Sequence, residues 1–134
     1  MAEIFSIQTN FDILLILEPK ECCSKVRLVG AHDDDFNIIY TKQHELVNDM
    51  QYYVDNKRKY AIWFDGISEW MIGSFSNIKE GKFTTGGLGN DEFVECPTDT
   101  NDWQEYTKLS WSLSNFFNNK REWKTNLNAK LSCY

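Results

Sequence analysis

The chain has 134 residues, 42% of them hydrophobic and 15% aromatic, and its formal net charge at pH 7 is −6. This length predicts one domain with a buried core of its own, and this composition excludes a disordered chain. The negative charge argues against nucleic-acid binding, because phosphate contacts draw on clustered Lys and Arg and the basic run Lys57–Lys59 is short.

The N-terminal residues predict two strands, over Glu3–Gln8 and Phe11–Leu17, and Pro19 ends the second. Within the second strand, Leu14–Ile16 is continuously apolar instead of alternating. This pattern is typical of a strand that is buried on both faces, or of one that caps the open end of a barrel.

Three further strands are predicted before residue 58. Lys25–Gly30 alternates apolar and charged side chains, which indicates a half-buried strand, and Phe36–Thr41 and Met50–Val54 follow it. The polar stretch Gln43–Asp49 is interpreted as a connection with room for one helical turn. Residues 55–58 form a turn that makes a hairpin with the next strand.

The stretch Tyr60–Gly73 predicts a central hairpin, because two alternating strands flank a segment that begins with Asp65-Gly66. A two-residue loop would place a carboxylate on the apolar face, since a slip of one residue exchanges the two faces of a strand. A five-residue loop avoids this and is the preferred interpretation. It gives two cross-strand pairs on the apolar face, Phe64 with Trp70 and Ile62 with Ile72.

Beyond this hairpin the predicted strands are short: Lys82–Thr85, Asp91–Cys96 and Trp103–Tyr106. The glycine-rich segment Gly86–Asp91 is interpreted as a mobile β-turn. It is not expected to bind phosphate, because a strand and not a helix follows it, and a phosphate loop needs the N-terminus of a helix.

The C-terminal part of the chain has a different spacing of apolar residues. Leu109, Leu113 and Phe116 recur at helical intervals and basic residues follow them, which predicts a helix over Leu109–Trp123. Residues 129–134 are then a final strand or a docked tail. The predicted fold is mainly β, an antiparallel sheet in a sandwich or a partly open barrel, with a C-terminal helix, in one domain over residues 1–134.

The four cysteines are Cys22, Cys23, Cys96 and Cys133. They lack the Cys-x-x-Cys spacing of a zinc site, so no metal is expected at them. Reduced, partly buried thiols are the preferred interpretation. A disulfide from Cys22 or Cys23 to Cys96 is the alternative if the chain meets an oxidising compartment.

Neither a membrane helix nor a secretory leader is predicted. No apolar run reaches the roughly 18–20 residues that a membrane helix needs, and the N-terminus has no basic region before an apolar one. We therefore expect no membrane insertion and a soluble, intracellular setting, most simply the cytoplasm, or an extracellular one if a leader has been removed. The lack of any Asn-x-Ser/Thr sequence agrees with the intracellular setting.

A spaced pattern runs through residues 23–106: Cys23, Val26, Gly30, Asn37, Tyr40, Ile62, Asp65, Trp70-Met71-Ile72-Gly73, Cys96-Pro97 and Trp103. It resembles a small β-rich module that recurs singly and in tandem in proteins of invertebrates and protists. The resemblance implies a non-catalytic unit with a binding or scaffolding role, and it transfers no catalytic residue. The predicted strands at 1–19 and the aromatic extension at 107–134 lie outside it.

No catalytic motif is evident in the sequence. No nucleophile has a recognisable motif around it, neither His lies in the context of a general base, and acidic pairs such as Glu92 with Glu95 have hydrophilic surroundings typical of a solvated surface. The sequence therefore predicts a protein that is not an enzyme and that needs no cofactor.

A protein-binding role is the preferred function. The aromatic residues Trp111, Phe116, Phe117 and Trp123 are expected to form an apolar patch for a protein partner, since aromatic side chains concentrate in interface cores. The chain is then a structural or protein-binding module, as a subunit or accessory component of a larger assembly.

A carbohydrate-binding, lectin-like β domain is the alternative. An exposed Trp beside Asp can stack on a sugar ring while the carboxylate binds its hydroxyl groups. Trp63 with Asp65, or Trp103, would supply this glycan site.

Overall fold

The computed structural model describes residues 20–90, 92–108 and 121–134. Their nine strands form one sheet in which all neighbours are antiparallel. The strands are β1 (Lys25–Val29), β2 (Ile39–Val47), β3 (Met50–Asp55), β4 (Tyr60–Phe64), β5 (Trp70–Ser74), β6 (Leu88–Asn90), β7 (Trp103–Lys108), β8 (Arg121–Thr125) and β9 (Lys130–Cys133). Their order is β8-β7-β6-β5-β4-β3-β2-β1-β9, and the sheet curls into a half-barrel. A short helix, α1 (Phe75–Lys79), follows β5.

The predicted mainly β, antiparallel class is confirmed. The predicted C-terminal helix is wrong for residues 121–123, the part of it that the structure describes. Its last residues, 121–123, lie in β8, where Trp123 pairs with Tyr106 of β7. Pairing with a neighbouring strand thus overrides the helical spacing. The rest of that predicted helix, 109–120, lies outside the described residues, as do the strands predicted at 3–8 and 11–17.

The central hairpin has the predicted five-residue loop. Phe64 pairs with Trp70 and Ile62 with Ile72, and Trp70 is only 1% exposed. The loop is ordered by Asp65, whose Oδ1 accepts the backbone N–H groups of residues 67, 68 and 69 at 2.8–3.1 Å. One carboxylate therefore replaces the backbone hydrogen bonds that the loop cannot make itself.

Strand β2 is longer than predicted, because residues 43–47 are strand and not a connection. The hairpin from β2 to β3 turns on Asn48 and Asp49, with φ of 52° and 70°, a two-residue turn whose twist suits antiparallel strands. A bulge between Lys42 and Leu46 interrupts the pairing. The next turn is at the predicted place, where the Asp55 carboxylate accepts three backbone N–H groups.

The glycine-rich segment is not a turn but contains β6, which pairs with both β5 and β7. The strands predicted over 82–85 and 92–96 are not present. Gly87 donates its N–H to the carbonyl of Ile72 at 2.7 Å, and a Cβ at Gly87 would lie 2.6 Å from the ring of Phe36. The glycines are therefore needed for close packing against a neighbouring strand and ring, and not for a mobile loop.

Both faces of the sheet carry a core. The larger cluster lies on the inner, concave face and is made of Val26, Leu28, Ala31, Tyr40, Tyr53, Ile62, Trp70, Ile72, Leu88, Trp103, Ala129 and Leu131. A smaller cluster lies on the outer face, where Phe75 of α1 covers the middle strands; it is made of Tyr52, Val54, Ala61, Trp63, Met71 and Phe75. The middle strands are thus buried on both faces.

The curled sheet closes through side chains between its two ends. Residues 126–129 connect β8 at one edge to β9 at the other. The amide of Asn126 donates to the carbonyl of Gly30 at 3.0 Å and to Glu105 at 2.8 Å. The Glu105 carboxylate, only 3% exposed, also accepts the backbone N–H groups of His32 and Asp33, both at 2.7 Å. Strand β7 is therefore joined to the loop after β1.

Two disulfides link the segment before β1 to other parts of the described chain, one to the segment after β6 and one to β9. Cys22 is bonded to Cys96 and Cys23 to Cys133, with Cα–Cα distances of 5.6 and 5.7 Å. The cysteines are therefore paired and not reduced as the sequence favoured. The bond from Cys22 to Cys96 is one of the two alternatives weighed from the sequence, whereas the pairing of Cys133 was not foreseen.

Candidate functional site

A cleft of about 610 Å³ opens at the rim of the half-barrel where β2 and β3 meet the segment before β1. Its volume lies within the range of ligand pockets. Three parts of the chain line it: Lys20 and Cys22 before β1; Lys42, Leu46, Asp49, Met50, Gln51 and Tyr53 from β2, β3 and their turn; and Trp70, Phe93 and Glu95 from β5 and the segment after β6.

The floor of the cleft is aromatic, and its polar atoms are already bonded. The indole N–H of Trp70 donates to the carbonyl of Val94 at 2.7 Å, and the hydroxyl of Tyr53 donates to the carbonyl of Cys23 at 2.7 Å. Burial raises the pKa of Tyr53 to about 12, and the charge of Glu21 acts in the same direction. This floor therefore offers apolar surface to whatever occupies the cleft.

The rim of the cleft combines exposed apolar side chains with charged groups. Leu46 is 61% exposed and Phe93 is 56% exposed. Lys42 donates to the Glu21 carboxylate at 2.7 Å and to the carbonyl of Cys22 at 2.8 Å, and this hydrogen bond and charge lower the pKa of Glu21. Lys42 thus supports the segment before β1 and leaves the apolar groups as the main surface of the rim.

A second surface lies on the outer face of the hairpin made by β7 and β8. The rings of Tyr106 and Trp123 are stacked, with centroids 5.1 Å apart and planes at 30°. Both side chains are 40% exposed. Trp123 is the predicted protein-binding residue that the structure describes; Trp111, Phe116 and Phe117 lie in the segment 109–120 between β7 and β8, outside the described residues.

The residues predicted to bind a glycan are not arranged for stacking. Trp63 and Trp103 are both fully buried. Trp63 lies on the outer face as its alternation requires, but the α1 cluster covers it and its indole donates to the carbonyl of Phe83 at 2.8 Å. Asp65 is committed to its own loop. Trp63 therefore lies on the outer face of the sheet without being exposed to solvent, because the outer face has a core of its own.

Sequence reasoning missed the cleft. Its floor residues Tyr53 and Trp70 were predicted only as strand and core residues, and Phe93 was placed in a strand. The sequence signal that could have pointed to the cleft is a pair of apolar residues with acidic neighbours, Leu46 near the end of β2 and Phe93 in the segment after β6. Those positions become neighbours only after the sheet has curled.

Two chemical features are not found in the described parts of the chain. No group of three or more His, Cys, Asp or Glu residues is placed to hold a metal ion there. None of the helices there has the length and apolarity needed to cross a bilayer.

Comparison of the chain with protein-family models, with curated proteins and with solved structures finds no match.

Proposed function

We propose that the chain is a non-catalytic protein-binding module, a subunit or accessory component of a larger assembly, and that it binds its partner through the hairpin of β7 and β8. The observation that carries this proposal is the stacked, half-exposed pair of Tyr106 and Trp123. Large aromatic side chains on a rigid strand pair make effective interface anchors, because they bury much area at a small cost in conformational entropy.

The sequence beside this pair supports the same proposal. The segment 109–120, which lies between β7 and β8 in the sequence, contains Trp111, Phe116 and Phe117. A partner of matching chemistry is a protein with an apolar pocket that accepts these rings. Because the attraction is hydrophobic, the affinity should change little with salt concentration.

Affinity capture with the full-length chain tests the proposal. The double variant Tyr106→Ala/Trp123→Ala should lose a partner that the wild-type chain retains, with a fall in affinity of at least about tenfold for the purified pair, as for an interface anchor. The control is Ile67→Ala, which removes another exposed apolar side chain in the loop between β4 and β5. Equal binding by all three chains would overturn the proposal, as would binding that disappears at high salt.

The two disulfides support an oxidising compartment for this function, in place of the intracellular setting favoured by the sequence. Disulfides persist outside the reducing cytosol. Alkylation of the chain from its native source without reductant should leave all four cysteines unmodified. Modification of all four would contradict this assignment.

A further inference from the structure

The cleft at the rim of the half-barrel offers a ligand mainly apolar surface. Leu46 and Phe93 on its rim are more than half exposed, and its volume of about 610 Å³ suits a small organic molecule. The polar atoms of its aromatic floor, on Tyr53 and Trp70, already donate to backbone carbonyls. A ligand therefore gains affinity here by burying an apolar body, and any polar selectivity must come from the charged residues of the wall.

The two lysines of the cleft are already paired with carboxylates. Lys20 binds Asp99 at 2.9 Å, and the mostly buried Lys42 binds Glu21 at 2.7 Å and the carbonyl of Cys22. Neither of these two carboxylates lines the cleft. The positive charges of the wall are thus largely neutralised from outside, and they give little attraction to an anionic ligand.

The two acidic residues of the cleft are not neutralised in this way. Asp49 lies in the turn between β2 and β3, Glu95 lies in the segment after β6, and both are exposed. Within the described residues, neither forms an ion pair with a basic side chain. Their carboxylates therefore give the cleft a net negative charge, which favours a positively charged ligand over a negatively charged one.

We propose that the cleft binds a small organic cation, an amine with an apolar body. The apolar body packs against Leu46 and Phe93, and the ammonium group faces the carboxylates of Asp49 and Glu95. A few polar groups in an apolar pocket are the usual means of orienting a ligand. None of the lining residues belongs to β7 or β8, so this site is separate from the protein-binding hairpin and does not depend on it.

Calorimetric titration of the full-length chain with three probes tests the class of ligand. Octylamine, octanol and octanoate share an eight-carbon chain, and at pH 7 they carry a positive, a neutral and a negative head group. Octylamine should bind at least about tenfold more tightly than octanoate, with octanol between them, because two carboxylates attract one head group and repel the other. Equal affinities for the three probes, or no binding of any of them, would overturn the proposal.

Neutralising the two carboxylates tests their role. Asp49→Asn/Glu95→Gln keeps the side-chain sizes, and Asn tolerates the positive φ of residue 49. This variant should bind octylamine no more tightly than octanol. The control Asp35→Asn/Asp102→Asn makes the same change in net charge at two exposed residues outside the cleft and should keep the wild-type preference. An unchanged preference in the first variant, or an equal loss in both, would contradict the proposal.

A change to the apolar rim separates binding in the cleft from binding elsewhere. Leu46→Ala/Phe93→Ala should weaken the binding of all three probes at least about fivefold, because less apolar surface is buried. Both residues are more than half exposed, so the fold should tolerate their truncation. Affinities equal to those of the wild-type chain would place the probes outside the cleft and overturn the proposal.

Discussion

At the scale of single residues, buried carboxylates organise loops in this protein. Glu105 and Asp55 are 3% and 7% exposed; Glu105 accepts two backbone N–H groups and Asp55 accepts three. A buried charge is costly without hydrogen-bond partners, and several N–H donors offset that cost. The sequence does not predict this burial, because it does not show which backbone groups will surround each carboxylate.

Tyr53 illustrates the same point for a neutral group. Its hydroxyl donates to the carbonyl of Cys23, and burial raises its pKa from 10.0 to about 12. The folded protein therefore holds the phenol proton more strongly than the unfolded chain does. This contribution to stability is fully present below pH 10 and is lost as the pH rises from 10 to 12.

The variant Tyr53→Phe has no group that titrates at this position, so we compare its free energy of unfolding with that of the wild-type chain. The wild-type chain should be the more stable one at pH 8, by about 1 kcal/mol for one hydrogen bond. This difference should shrink between pH 10 and 12. Denaturant unfolding of both chains across this pH range measures it, and a difference that stays constant up to pH 12 would show that Tyr53 does not titrate as expected.

At the scale of elements, turn residues determine how the strands connect. Asn48 and Asp49 adopt positive φ and keep β2 and β3 in a tight hairpin. Gly30, which follows β1, has a φ of +80°, and a Cβ there would lie 1.8 Å from the carbonyl oxygen of Asn128. The close approach of the turn at 126–129 to β1 therefore requires glycine at this position.

The prediction for Gly30 uses a matched glycine as its control. Gly30→Ala should reduce the free energy of unfolding by more than about 3 kcal/mol, because backbone strain adds to a clash with backbone atoms. Gly81 has a similar φ of +73°, but a Cβ there would meet no atom within 4 Å, so Gly81→Ala should cost only about 1 kcal/mol. Thermal or denaturant unfolding compares the two, and equal losses would mean that the contact with Asn128 relaxes without cost.

At the scale of the whole molecule, the half-barrel is held by its core, by the Glu105 and Asn126 hydrogen bonds, and by two disulfides. The disulfides join residues 74 and 110 positions apart in sequence. A disulfide that closes such a long loop strongly reduces the conformational entropy of the unfolded chain. They also fix the N-terminal and C-terminal ends of the described chain to the same half-barrel.

The prediction for the disulfides is a loss of about 4–5 kcal/mol for each one removed, from the entropy of loops of these lengths. Cys22→Ser/Cys96→Ser and Cys23→Ser/Cys133→Ser serve as controls for each other, because the two loop lengths predict nearly equal losses. Urea unfolding of both variants and of the wild-type chain measures the effect. Losses below about 1 kcal/mol would indicate that the folded core already restricts these ends without the crosslinks.

Strands and turns were predictable from the sequence where the alternation of side chains and the turn residues allowed a single interpretation. The register of the central hairpin follows from alternation and from the need to keep a carboxylate off the apolar face. The strand β1 and the hairpin at residues 55–58 follow from similar signals. The glycine-rich segment was misinterpreted, because close packing against Phe36 and a flexible turn both favour glycine.

The candidate sites could be predicted only in part. The sequence identified Trp123 as an aromatic residue outside the central hairpin, but its stacking on Tyr106 requires the pairing of β7 with β8. The sequence did not indicate that Trp63 and Trp103 are buried. Alternation predicts the face of the strand on which a side chain lies, but not what covers that face. The cleft combines residues from several separate segments, which no local pattern connects.

The sequence by itself determined the mainly β class and the register of the central hairpin, because side-chain alternation and turn chemistry act between near neighbours. Only the tertiary structure decided the cysteine pairing, the cleft, and the burial of Glu105, Trp63 and Trp103. These features depend on contacts between distant parts of the chain: the curl of the sheet, the pairing of β1 with β9 and the packing of α1 on the outer face bring together residues up to 110 positions apart in sequence.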